Sequence, residues 1–261
     1  MSWITLLFGF AFGTIVGSFL NVCIHRIPQE QSIVVPSSHC PSCKTPIRFY
    51  DNIPLVSFIL LRGRCRACQA PISWRYPLVE FLMGLFSVIL LLQYGISSLS
   101  LIYFALFAAL TLVSFIDLSH RIIPDIISLP GIVIGVLVSL FHPYLSVADS
   151  LLGVLVGGGS LYVVASVYHL VTRREGMGGG DIKLLAMIGA FIGWKGVLFT
   201  ILCSSFIGSV VGVILMLISS QADSKYAVPF GPFLSLGAII YVVWGEYLIN
   251  WYMGFLRGVG A

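Results

Sequence analysis

The chain has 261 residues, of which 58% are hydrophobic and only 9% charged, with a mean hydropathy of +1.03. Soluble globular domains carry about a quarter charged residues, so this balance excludes an ordinary soluble domain and points to a bilayer. The formal net charge of +4 is modest and takes meaning only from its distribution; membrane lipid is the expected environment, and no nucleic acid partner is expected.

Apolar runs predict membrane spans over 3–24, 78–94, 99–116, 126–141, 147–171, 182–193, 197–219 and 230–251. No basic residue precedes the first run and no small-residue cleavage site follows it, so it reads as a retained helix and not a removed signal peptide. Gly9, Gly13 and Gly17 recur on one face of that helix, where small residues let backbones approach closely in lipid. The same spacing returns at Gly131/Gly135, Gly153/Gly157, Gly189/Gly193 and Gly208/Gly212, and helix packing is expected at each. The sixth run is only 12 residues, too short to cross a ~30 Å hydrocarbon core as a straight helix. It thins the membrane, borrows flanking residues, or enters and returns.

The expected fold is an all-α polytopic membrane protein of about eight transmembrane helices with a small cytosolic zinc-binding insertion. Its expected domains are a first transmembrane helix over 1–24, the insertion over 25–77 and a membrane domain over 78–261. With the N-terminus outside, only Lys195 and Arg257 among the cationic side chains face outward, which satisfies the positive-inside rule. The insertion is cytosolic on this topology and carries seven Lys/Arg against Glu30 and Asp51. It suits anionic headgroups, and at this size it needs a staple.

Cys40-Pro-Ser-Cys43 and, after 21 intervening residues, Cys65-Arg-Ala-Cys68 supply that staple. Two C-x-x-C pairs at this separation suit a tetrathiolate zinc site with no open ligand position, hence a structural one. Disulfides or a redox pair compete, but the cytosolic side is reducing and disfavours structural disulfides. Arg62, Arg64 and Arg66 offset the net −2 of such a centre. His39 is a conceivable substitute ligand, and Cys23 and Cys203 read as small buried apolar side chains.

Ionisable residues near bilayer depth are costly and need a reason. Asp117 closes the third span and Asp181 opens the sixth, both at the cytosolic face and at similar depth, although 64 positions apart. Two carboxylates that share a site cannot both ionise easily, so the pair holds one proton. The ionised partner can then activate water while the protonated one hydrogen-bonds a scissile carbonyl. Gly178, Gly179 and Gly180 let an extended substrate backbone approach Asp181. The plainer alternative is a helix cap with an ion-pair network, which requires neither three glycines nor a distant partner acid. Asp125 follows Pro124 and reads as a cap, Arg75 is a candidate partner for Glu80, and His120 and Arg121 read as headgroup-level residues.

Phe12-Gly-Thr-Ile-Val-Gly-Ser-Phe-Leu-Asn-Val22, the two C-x-x-C pairs, Tyr50-Asp-Asn-Ile-Pro54 and Arg75-Tyr-Pro-Leu-Val-Glu80 resemble the N-terminal half of bacterial type IV prepilin peptidases. Asp117 with Ile123-Pro-Asp125, and Gly178-Gly-Gly-Asp181, resemble their catalytic half, and the resemblance runs in order from about residue 9 to 240. It implies an eight-span enzyme of the bacterial inner membrane, with 78–261 as the aspartyl peptidase domain, that cuts the basic leader from prepilins or pseudopilins at the cytosolic face. Asp117 and Asp181 take the catalytic positions and Cys40, Cys43, Cys65 and Cys68 the zinc positions. It also implies methylation of the new N-terminal residue with S-adenosylmethionine, although no G-x-G-x-x-G turn is present. A cation-coupled transporter using both aspartates and a non-enzymatic pilus or secretion assembly component are the other readings. The first predicts mid-bilayer acids and an internal repeat, and the second leaves the aspartates and the glycine run unexplained.

Overall fold

The computed structural model describes residues 2–173, 178–218 and 228–259. Glu175 and Lys225, which the topology places on the cytosolic side, lie outside them. The described residues form helices α1 (Trp3–Arg26), α2 (Val56–Leu60), α3 (Arg75–Tyr94), α4 (Ser98–His120), α5 (Asp125–Ser139), α6 (Val147–Thr172), α7 (Gly179–Ile218) and α8 (Gly231–Val259), with no named strand among them. α1, α3, α4, α6, α7 and α8 are each long and apolar enough to cross a membrane. The chain is a multi-pass membrane protein. It divides into two compact units, Met1–Ile116 and Asp117–Ala261.

In the first unit, α1 packs along α3. The Ser2 hydroxyl caps α1 by accepting from Thr5 N–H. A Cβ on Gly13 would lie 2.4 Å from the Met83 carbonyl oxygen, and one on Gly17 would lie 2.7 Å from the Glu80 Cα. The expected glycine face is therefore a backbone-to-backbone contact, and Ile24, Val79, Met83 and Leu90 are buried around it. α4 joins this core through Phe104 against Phe12 and Phe107 against Phe86, at ring separations of 5.4 and 5.1 Å.

The insertion between α1 and α3 has little regular structure: two 3-10 turns, α2 and two isolated backbone bridges. Arg26, buried at the end of α1, ties down its first part by donating to the Ser32 and Pro36 carbonyls at 2.9 and 2.7 Å. Glu80 ties down the middle by accepting the Leu55 N–H at 2.8 Å, where Leu55 is held at a φ of 61°. A non-glycine residue there carries strain of about 1–3 kcal/mol, which its surroundings must hold. The expected Arg75–Glu80 pair is not formed: Arg75 lies over the Tyr76 ring instead. Residues five apart on a helix point about 140° away from each other.

The second unit is built around α7, which packs against α5, α6 and α8. A Cβ on Gly153 would lie 2.2 Å from the Gly189 carbonyl oxygen, and one on Gly189 would lie 2.1 Å from that of Gly153. Gly131 and Gly135 meet Met187 and the Ala190–Phe191 side chains in the same close manner. The glycine pattern ends there, since a Cβ on Gly212 would meet nothing within 4 Å.

α7 is two helices in sequence, broken at Gly193, whose φ of 71° and ψ of 174° lie outside the helical region. A Cβ on Gly189 would touch Val197 at 2.9 Å. Residues eight apart in a straight helix are about 12 Å apart, so the chain turns sharply at the break. Ser146 and Asp149, at the start of α6, brace this turn: Ser146 caps α6, and Asp149 accepts the Trp194 indole N–H at 3.2 Å. The predicted runs 182–193 and 197–219 are thus the two arms of α7, and with them the unit holds the helical segments expected from the sequence.

Candidate active site and metal centre

Asp117 is in the last turns of α4, which extends past the predicted end of the span to His120. The residue is only 6% exposed, and Oδ2 accepts the Gly231 N–H at 3.1 Å from the start of α8. Asp181 lies in the first turn of α7, and Ile123 packs both against Gly180 beside it and against Gly231, which bonds Asp117, so the two aspartates share one neighbourhood. Its Oδ1 is buried with no hydrogen-bond partner among the described residues, so this oxygen does not act as the expected cap. An unpartnered buried carboxylate oxygen is costly unless something else hydrogen-bonds it.

The three glycines beside Asp181 differ in their reasons. A Cβ on Gly180 would lie 2.8 Å from the Ile123 Cβ, so close packing requires that position. A Cβ on Gly179 would meet nothing within 4 Å, and one on Gly178 would lie 3.7 Å from Asp181 Oδ2. Among the described residues, the last two leave a backbone edge uncovered beside the carboxylate. Ile123 also stands 3.3 Å from where a Gly231 Cβ would be, so one side chain packs against both glycine segments.

Asp125 and Lys183 form a two-pronged ion pair, with Nζ 2.7 Å from each carboxylate oxygen. The expected capping role of Asp125 is not seen, since α5 has no side-chain cap. Arg121 remains exposed next to the site, and its N–H bonds the Asp117 carbonyl. Sequence reasoning missed Gly231 and Lys183. The run Pro229-Phe-Gly-Pro232 opening α8, and a cation two positions after Asp181, were the available signals.

In the insertion the Sγ atoms of Cys40, Cys43, Cys65 and Cys68 all lie within 4.8 Å of one another, and those of Cys40 and Cys68 are 3.8 Å apart. Sulfurs about 2.3 Å from a tetrahedral metal are about 3.8 Å apart, so the set fits one ion. The two C-x-x-C turns repeat one backbone design. Cys40 N–H donates to Thr45 and Cys65 N–H to Ala70, Lys44 and Gln69 both take positive φ, and bridges His39–Pro46 and Arg64–Pro71 close the turns. Amides that close such turns stabilise thiolates. Hydrogen bonds from the Thr45 side chain and backbone lower the Cys43 thiol to about 6, and backbone hydrogen bonds from Cys68 and Ala67 lower Cys65. His39 bonds the Ser37 carbonyl instead of joining the sulfurs. Of the three arginines, Arg66 pairs with Asp51 at 2.7 Å and lies over the Tyr50 ring.

A membrane protein with a buried and a half-buried aspartate at the starts and ends of helices in one unit, and a four-cysteine cluster in the other, belongs to a narrow class. A profile described as bacterial Peptidase A24 N-terminal domain matches residues 11–94, and one described as type IV leader peptidase family matches residues 104–213. The chain is 40% identical to a prepilin leader peptidase/N-methyltransferase of Stutzerimonas stutzeri, over 94% of this chain and 92% of that one. Proteins of the same description from Aeromonas hydrophila and Pseudomonas aeruginosa are each 37% identical, over 97% and 93% of this chain and 95% and 91% of theirs. No solved structure matches. The chain belongs to the type IV leader peptidase family.

Proposed function

We propose that this protein is a prepilin peptidase that removes the basic leader of type IV prepilins or pseudopilins at the cytosolic face of a bacterial inner membrane, and then methylates the new N-terminal residue. Family membership supports the reaction and sets aside the transporter and assembly-component readings. The Lys/Arg distribution supports the sidedness. The functional division is a first membrane helix over 1–24, a zinc-binding insertion over 25–77 and the peptidase portion over 78–261.

The observation that carries the peptidase assignment is the unpartnered Oδ1 of Asp181 beside the buried Asp117. The two carboxyls act as one group holding a single proton. The ionised member takes a proton from water as the oxygen attacks the scissile carbonyl, and the protonated member hydrogen-bonds the carbonyl oxygen. Collapse of the tetrahedral adduct delivers a proton to the departing amine. The Gly231 N–H fixes the Asp117 carboxyl throughout, and the Gly178–Gly179 edge admits the extended substrate. Cys40, Cys43, Cys65 and Cys68 would hold zinc, which supplies a fixed cross-link within the insertion. S-adenosylmethionine supplies an electrophilic methyl group for the amine.

The test uses purified protein, a prepilin and S-adenosylmethionine, with mass spectrometry of the product. Wild type removes the leader and adds ~14 Da to the mature N-terminus. Asp117→Asn and Asp181→Asn each abolish cleavage while the protein keeps its fold and metal. Full cleavage by either variant defeats the dyad.

A further inference from the structure

Where α2 and the second cysteine turn meet the start of α3, unit Met1–Ile116 holds an open groove of about 870 Å³. Phe58 of α2 packs on Trp74 at a ring separation of 4.9 Å, and both rings line it. Trp74, Leu78 and Phe81 recur at helical spacing and give the groove one face of α3. α3 is long and apolar enough to span the membrane, and an exposed tryptophan at its entry marks headgroup level. The groove therefore starts at the membrane surface and follows the helix for about 10 Å toward the hydrocarbon.

The chemistry of this lining is one-sided. Apart from Arg62 and Arg64, every residue in it is apolar, glycine or proline, and no acid is among them. The two arginines flank Gly63, where a Cβ would lie 3.1 Å from the Phe58 ring, so their turn wraps that ring. A backbone bridge between Arg64 and Pro71 holds the same turn from its other end. Both arginines are exposed, and neither makes an ion pair or side-chain hydrogen bond among the described residues. Arg66, by contrast, is paired with Asp51, and Arg26 is committed to two carbonyls. The hydrogen bonds that lower the Cys43 and Cys65 thiols come from within the cysteine cluster and not from the Arg62–Arg64 pair. Ile59 and Trp74, 72% and 77% exposed, join Leu78 and Phe81 in an apolar patch that calls for cover.

We infer that this groove binds one anionic phospholipid, its phosphate at Arg62 and Arg64 and an acyl chain along Trp74, Leu78 and Phe81. Guanidinium groups take phosphate oxygens through paired, charge-assisted hydrogen bonds, and the acyl chain covers the apolar face. Inorganic phosphate would leave that face bare. An acidic peptide would meet the arginines but has no apolar part that follows a membrane helix inward. A zwitterionic lipid carries the same phosphate, but its own cation competes with the arginines for it. The bound lipid pins the insertion to the bilayer beside the start of α3. This role is separate from leader cleavage and methyl transfer, and neither is its readout.

The experiment uses full-length, zinc-loaded protein in phosphatidylcholine nanodiscs doped with a trace of lipid carrying a photoactivatable acyl chain, followed by mapping of the labelled peptides. Phosphatidylglycerol is expected to label residues 55–81 of wild type about tenfold more than phosphatidylcholine does. Unlabelled phosphatidylglycerol in excess removes that signal. The double variant Arg62→Gln/Arg64→Gln brings the two lipids level, whereas Arg62→Lys/Arg64→Lys keeps part of the preference because the charge remains. Ile59→Glu, an exposed change outside the cysteine turns, also abolishes the preference, and it carries the test if the glutamine variant loses its zinc. Equal labelling of wild type by both lipids, label confined to other helices, or a preference unchanged in the glutamine and glutamate variants overturns the site. Displacement of the lipid by glycerol phosphate overturns it in favour of a free-phosphate site, and displacement by an acidic peptide in favour of a protein partner.

Discussion

Gly231 donates its backbone N–H to Asp117 Oδ2 across 114 positions of sequence, so the start of the last helix holds a carboxyl at the end of α4. A Cβ at position 231 would lie 2.7 Å from that oxygen. Gly231→Ala therefore displaces the carboxyl without touching the insertion. Leader cleavage is expected to fall about 10- to 100-fold in kcat, the usual cost of a catalytic group misplaced by about 1 Å. Zinc content and binding of the methyl donor stay at wild-type levels. A variant that cleaves normally would show that this hydrogen bond does not position Asp117.

The Lys183–Asp125 pair connects the starts of α7 and α5 beside Asp181, with both side chains part-exposed. Such pairs add no more than about 1 kcal/mol to stability, so its value lies in orientation. Lys183→Met and Asp125→Asn are each expected to slow cleavage several-fold with little change in thermal stability. The double variant should be no slower than the worse single one, the signature of residues acting as a unit. Independent, multiplying losses would show two separate roles.

The lowered Cys43 thiol gives the metal-free insertion a chemical signature. With the thiol at about 6 against about 8.5 for a free cysteine, Cys43 is mostly thiolate at pH 7 and loses that character as pH falls through 6. After chelation, iodoacetamide at pH 7 should modify Cys43 ahead of Cys23 and Cys203. Thr45→Val should slow this labelling at pH 7 but not at pH 9.5, where both proteins carry the thiolate. Equal rates at both pH values would mean that Thr45 does not set the thiol. Cys43→Ser should lose the metal, with cleavage retained at least in part.

Gly153 and Gly189 meet through their backbones, so neither neighbour can move a side chain aside. Gly189→Ala is expected to destabilise the second unit by about 1–3 kcal/mol, the cost of overpacking. Gly179→Ala, with nothing within 4 Å, is the control and should fold as wild type. Comparable thermal unfolding of the two would contradict the close approach.

Much of this arrangement was legible in the sequence because it is written in side chains. Apolar runs located the helices, paired cysteines the metal cage, and acids at the ends of two spans the interacting carboxylates. The rest depends on groups that every residue has. Leu55 is held by Glu80, and Asp117 by Gly231, through main-chain N–H groups that leave no mark in composition. The sharp turn at Gly193 was blurred for a related reason. Apolar residues continue on both sides of it, and the decisive quantity is one positive φ. Asp125 was misjudged because a local cap was favoured over the distant Lys183, and Arg75 because an opposite charge was favoured over the adjacent Tyr76 ring.

The twin cysteine turns bear on how the insertion can change over time. A metal held by the four cysteines would close a loop running from Cys43 to Cys65, and loop-closure entropy grows only with the logarithm of length. The turns hold their own geometry through hydrogen bonds internal to each. The stretch between them, which carries α2, Leu55 and Phe58, is tied to the second turn through the Asp51–Arg66 pair. Away from that pair, insertions, deletions and new side chains can accumulate there at little thermodynamic penalty to the cysteine turns. The surface that this stretch presents can thus drift while its scaffold stays fixed.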